Sequence, residues 1–221
     1  GAGPHAATSA GTSSYGYDAN GNMTSGPGRT LFYDQENRLI LSFVGGVTAT
    51  YEYDHTGQRF RQTTGGVATT YVSNAYEVES GAETHTTKHI FADSQRVASI
   101  NDGVASYYLP DHLGSSNLMT DDAGQVIQHT EYAPFGQVVE QTGQDVTDYS
   151  FTGKELDATG LYYYGARYYD PVLCRFVTAD SIVPRAHDSQ ELSRYSYTSN
   201  RPVVLTDPTG HWSISSGLSS I

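Results

Sequence analysis

Apolar and aromatic residues alternate with polar ones in short runs along most of the chain, and each run ends in a cluster of turn-forming residues. Tyr15-Gly16-Tyr17 leads into Asp18-Ala19-Asn20-Gly21-Asn22, and Phe32-Tyr33 into Asp34-Gln35-Glu36-Asn37. Tyr51-Glu52-Tyr53 leads into Asp54-His55-Thr56-Gly57. Period-two alternation puts Tyr15 with Tyr17, or Tyr51 with Tyr53, on one face of a strand. The Asp-x-x-Gly clusters supply a side-chain-bonded turn and a residue of positive φ, and strands resume at Met23, Leu39 and Phe60. The Tyr-Asp pairs begin at 17, 33 and 53, spacings of 16 and 20 residues. Weaker echoes lie at Tyr107–Ser115 and Thr120–Val126, where Asp121-Asp122 with Gly124 faintly suggests a calcium turn but fits a hairpin turn better. One hairpin cannot bury its aromatic face alone. The pattern therefore predicts an all-β protein of antiparallel hairpins joined into one curled or spiralling sheet.

Two stretches depart from this rhythm. Asp188 with Glu191 three residues later resembles a capping box, which predicts one short helix near 187–195. Residues 160–171 hold five tyrosines within eight positions, from Tyr162 to Tyr169, and close on Asp170-Pro171. Aromatics favour pleated surfaces and can pack on both sheet faces, while proline ends a strand because it lacks an N–H. The Ser/Gly-rich stretch 213–221 reads as a poorly ordered tail.

Composition narrows the function classes. The 221 residues carry 24 acids against 12 lysines and arginines, a formal charge of -12, so nucleic-acid phosphates would be repelled. The single Cys174 excludes an internal disulfide and reads as a small packed residue. No apolar run approaches the ~20 residues that cross a bilayer. The first residues lack the regions of a signal peptide and look like a cut within a longer protein. His85 and His89 share a strand face, but no spacing matches a zinc site. No nucleophile elbow, phosphate loop or dinucleotide fingerprint occurs, so no cofactor and no metal is expected.

The Tyr-Asp hairpins and the tyrosine-rich strand resemble the C-terminal end of Rhs/YD-repeat proteins. The likeness spans nearly the whole chain: Tyr15 to about Ile100 resembles YD repeats, and Tyr107 to Trp212 the Rhs-associated core domain. The core likeness rests on Tyr108-Leu109-Pro110-Asp111-His112-Leu113-Gly114-Ser115, Tyr132-Ala133-Pro134-Phe135-Gly136 and Phe151-Thr152-Gly153-Lys154-Glu155. Further along, Arg175-Phe176-Val177-Thr178-Ala179-Asp180, Asn200-Arg201-Pro202 and Asp207-Pro208-Thr209-Gly210 extend it. The resemblance implies YD hairpins over 1–105, a core or plug domain over 106–212, and a tail or the start of a variable region over 213–221. It implies a shell segment of a larger secreted or cell-surface bacterial protein. Its partners would be the preceding shell and a C-terminal toxin cargo of the same polypeptide, with secretion or delivery proteins.

The same resemblance carries chemistry. In many members two Asp-Pro-x-Gly motifs converge and the core cuts its own chain after the second. Carried over, Asp180 and Asp207 form an aspartic dyad, Arg175 assists electrostatically, and the cut falls between His211 and Trp212. Here the first motif reads Asp180-Ser181-Ile182-Val183, the aspartates stand 27 residues apart, His211 replaces a common leucine, and Cys174 replaces a usual glycine. Two further readings stay open: a purely structural plug whose Asp207 only makes a turn, and an adhesion or carbohydrate-binding module using its aromatic faces.

Overall fold

A computed structural model describes residues 3–182, 192–211 and 213–215. Strands β1 (Ser9–Ala10) and β2 (Ser13–Ser14) form a small hairpin. Fourteen strands then pair strictly in chain order, each antiparallel to the next, in one open sheet. They begin with β3 (Gly16–Tyr17), β4 (Met23–Gly26), β5 (Arg29–Tyr33), β6 (Leu39–Val44), β7 (Val47–Tyr53), β8 (Arg59–Thr64) and β9 (Val67–Ser73). The run continues through β10 (Tyr76–Ser80), β11 (Thr84–Ala92), β12 (Gln95–Asn101), β13 (Val104–Leu109), β14 (Leu118–Thr120), β15 (Val126–Tyr132) and β16 (Val138–Gly143). Residues 105 and 106 both lie within β13, so the wall passes unbroken through the position where the sequence motifs change. The core motif opens with more hairpins of the same kind.

The turns explain the motif. In Asp18, Asp34, Asp54, Asp111 and Asp121 the Oδ1 atom accepts backbone N–H groups from the second and fourth residues beyond it. The third residue beyond is left-handed each time, for example Gly57 at φ 85° and Asn37 at φ 63°. Glycine or asparagine is favoured there because a branched side chain would clash. Asp121 thus spends its carboxylate on a hairpin turn.

A register shift precedes several of these turns, at Gly16/Tyr17, Phe32/Tyr33, Glu52/Tyr53 and Met119/Thr120. Bulges of this kind bend a strand and raise its twist, so their repetition curls the sheet. Neighbouring hairpins are also tied together. Tyr53 donates to the Leu39 carbonyl (2.7 Å) and Tyr132 to that of Ser116 (3.1 Å). Each acceptor lies five residues past the aspartate of the preceding turn on the same edge.

After Gly143 the architecture changes. A 3-10 turn at Phe151–Gly153 leads into a four-stranded sheet of β17 (Glu155–Leu156), β18 (Tyr162–Tyr163), β19 (Tyr168–Asp170) and β20 (Arg175–Phe176). A last pair joins β21 (Leu205–Thr206) to β22 (Ile214–Ser215), the second of which falls within the stretch expected as tail. Residues 187–191 of the expected helix lie outside the described residues. Over 192–195 the chain forms turns instead of helix, since the Tyr195 carbonyl accepts the Phe176 N–H and Ser196 bridges Arg175. Cys174 takes φ 59° in the turn between β19 and β20, a backbone state that suits glycine.

Alternation along β18 and β19 splits the tyrosines between two faces. Tyr163 and Tyr168 join a core with Tyr51 and Tyr53 of β7 and with Leu31 and Leu39. Tyr162, Tyr164, Tyr169 and Phe176 join Phe151 and Tyr197 in a second core against Leu113, Tyr132 and Phe135. The rings pack closely, with Tyr169 and Tyr197 centroids 4.4 Å apart. Two stretches of wall that are distant in strand order therefore cover opposite faces of one small sheet. Only a wall that curls round the plug achieves this.

Two wall arginines lock the seam. Arg29 pairs with Asp170. Arg59 pairs with Glu155, donates to Tyr168 (3.1 Å) and Tyr71 (2.9 Å), and lies over the Tyr163 ring at 4.3 Å. Among the described residues, no helix is long and apolar enough to cross a membrane.

Candidate active site

The buried aspartates 180 and 207 meet where the plug ends. Asp207 uses the wall's turn device: its Oδ1 accepts N–H groups from Thr209 (3.2 Å), Gly210 (2.8 Å) and His211 (3.1 Å). Gly210 is left-handed at φ 82°, and a Cβ there would stand 3.1 Å from the Arg167 nitrogen and the Tyr164 oxygen, so glycine is required on both counts. Asp180 follows β20. Its N–H reaches the Arg194 carbonyl (2.9 Å), and its Oδ1 accepts Ile182 N–H (2.9 Å) and lies 2.8 Å from His211 Nδ1. Arg194 in turn donates to the Asp180 carbonyl.

Arg167 joins the two. Its Nη2 lies 2.8 Å from Asp180 Oδ2 and 3.6 Å from Asp207 Oδ2. Its Nε donates to the Gly210 carbonyl and its Nη1 to that of Arg194 (3.0 Å), while the guanidinium stacks 3.7 Å over Phe176. Burial pulls its pKa down to about 10 against the opposing pull of Asp180 and Asp207, so it stays charged at neutral pH. One fixed cation is thus held within reach of two buried carboxylates.

The structure thus brings Asp180 and Asp207 together and leaves Arg175 out. Arg175 donates instead to the His5 carbonyl (3.1 Å), because the turn before β20 aims it at the N-terminal segment. Nearness in sequence to Asp180 favoured Arg175. The signal for Arg167 was a lone charge inside a run of tyrosines, in the turn between β18 and β19. Trp212, the far side of the expected cut, lies outside the described residues.

A cavity of about 960 Å³ opens beside the site between wall and plug, with Arg59, Glu77, Tyr149, Lys154, Tyr164 and Asp207 among its lining. The expected histidine pair serves the wall: His89 is buried between Ser99 (2.7 Å) and Glu77 (3.0 Å), and His85 contacts Asp102 (2.6 Å). Among the described residues no cluster of three or more His, Cys, Asp or Glu side chains is arranged to hold a metal ion.

A sheet of repeated Tyr-Asp hairpins wrapped on its own C-terminal plug defines a shell segment. Residues 5–203 match the family model described as Teneurin YD-shell, and the chain belongs to that family. It is similar to the tRNA3(Ser)-specific nuclease WapA of Bacillus spizizenii, 32% identical over 212 residues, which cover 90% of this chain and 9% of that protein. It is also similar to toxin subunit YenC1 of Yersinia entomophaga, 41% identical over 103 residues, or 44% of this chain and 10% of that one. The crystal structure of TcdB2-TccC3-TEV superposes with a TM-score of 0.76 at 26% identity, covering 88% of this chain and 11% of its own. The chain thus spans about a tenth of the length of these relatives. It is a YD-shell domain homologous to the shell segments of Rhs-type and Tc toxins.

Proposed function

We propose that this chain closes one end of a shell that holds a C-terminal cargo of the same polypeptide, and that Asp180 and Asp207 cut the chain between His211 and Trp212. The observation that carries this reading is the single buried guanidinium of Arg167 shared by both carboxylates at the end of the plug. One aspartate, ionised, takes a proton from water as the water oxygen bonds to the His211 carbonyl carbon. The other, protonated, gives its proton to the Trp212 nitrogen as the C–N bond breaks. Arg167 balances the charge and fixes the adjoining Gly210 carbonyl. The preceding YD-repeat wall and the delivery machinery are the expected partners, and the expected location is outside the cell or at its surface.

The test uses the longer polypeptide with its downstream segment. The cargo is expected to be severed on denaturing gels yet to co-elute with the shell and resist added protease, whereas Asp207→Asn leaves it joined. A cargo that remains joined in the native protein overturns the self-cleavage. A severed cargo that elutes alone overturns the enclosure.

A further inference from the structure

Three consecutive carbonyl oxygens of the final turn are each held by a donor from the plug. Pro208 O accepts from Lys154 Nζ (2.6 Å), Thr209 O from the Ala166 N–H (3.1 Å), and Gly210 O from Arg167 Nε. The Ala166 donor is a backbone amide, and Arg167 keeps its charge at neutral pH and well above. Lys154 differs from both. It is one of only two lysines in the chain, and it sits at the end of the Phe151–Gly153 turn, lining the cavity with its ammonium 5.3 Å from the Tyr164 ring centre.

From this arrangement we infer that Lys154 is a positioning residue for the cut. Its ammonium pins the Asp207–Gly210 turn through Pro208, so that the bond beyond His211 stays in register with the aspartates only while Lys154 is charged. The inference rests on the self-cleavage reading. Three groups face the ammonium: Asp207 from the final turn, Arg96 from β12 and the Tyr164 ring from the small sheet, while Asp111 and His112 line the same cavity. Geometry alone makes Lys154 a tether, and its titration adds a pH limit. Burial lowers its pKa to about 8, with Arg96 adding to that effect and Asp207 opposing it. The tether is therefore charged below that value and is lost as pH rises through it.

The test follows the loss of residues 212–221 from the 221-residue chain by intact mass, as a rate against pH. The native rate is expected to fall as pH rises through about 8. Lys154→Met is expected to slow cutting roughly tenfold to a hundredfold at neutral pH, as loss of one charge-assisted hydrogen bond would do. Lys154→Arg is expected to restore the rate and abolish the alkaline fall. Cutting by Lys154→Met at the native rate overturns the role. If Lys154→Met does not fold, the Lys154→Arg profile decides, and an unchanged fall near 8 overturns the role. A native chain that is never cut overturns the self-cleavage itself, and this inference with it, which is a different outcome from native cutting that ignores Lys154.

Discussion

The wall and the plug use the same aspartate turn to different ends. In the wall, Asp34 and Asp121 give one carboxylate oxygen to backbone amides. Asp34 turns the other toward its own Arg38, at the solvent edge of the sheet (2.8 Å). In the plug, Asp207 keeps those backbone bonds and Asp157 keeps the nearer one, to the Thr159 N–H (2.9 Å), while the Leu161 N–H turns to the Thr159 hydroxyl (3.2 Å); both aspartates are buried and their second oxygens meet partners from far away. Asp157 receives the Tyr51 hydroxyl (3.1 Å), and Asp207 faces Arg167. A local hairpin device becomes a long-range contact once it is enclosed, because burial makes every charge there costly to leave unpaired.

That contrast is most easily broken at the seam. Arg59→Met removes the cation that Glu155 and Asp157 face, leaving two buried carboxylates uncompensated, and is expected to destabilise the chain by about 3–5 kcal/mol in urea unfolding. A loss no greater than that of an exposed wall residue would mean the plug does not depend on the seam.

A second measurement separates seam from wall by pH. Glu77 is buried, which alone would raise its pKa, but donors from His89 and Tyr149 outweigh this and hold it below its usual 4.5. Its contribution is present above that value and lost as pH falls through the lower, folded one. Tyr149→Phe is expected to shrink this acid-dependent part of the stability and to raise the pH at which it is lost, because one of the donors that lower the Glu77 pKa is gone. An unchanged acid limb would show that Tyr149 does not set it.

The smallest effect is expected in the wall itself. Asp121→Ala loses the two amide bonds of one exposed turn and should cost about 1 kcal/mol. A cost equal to that of Arg59→Met would erase the distinction between the two regions.

The wall was legible because its information is local. Tyrosine, aspartate and the left-handed residue fall within five positions, and the hairpins at 17, 33 and 53 follow from them. The aspartate pair was legible only through resemblance, since 27 residues separate Asp180 from Asp207. Arg167 was hidden because its partners arrive from turns well beyond it in the chain, and nothing in the tyrosine run says which face its guanidinium takes. The seam was hidden for the same reason: Arg59 and Glu155 stand 96 positions apart. Turn signals do not carry that far.

Strict neighbour-to-neighbour strand order has a consequence for size. In backbone pairing, each strand of the wall bonds only to the one before and the one after it. Inserting or deleting a whole hairpin away from the seam contacts therefore changes the length of the wall without rewiring any other strand pairing. Extent in such a sheet is a matter of counting modules, each added on the terms of its immediate neighbours.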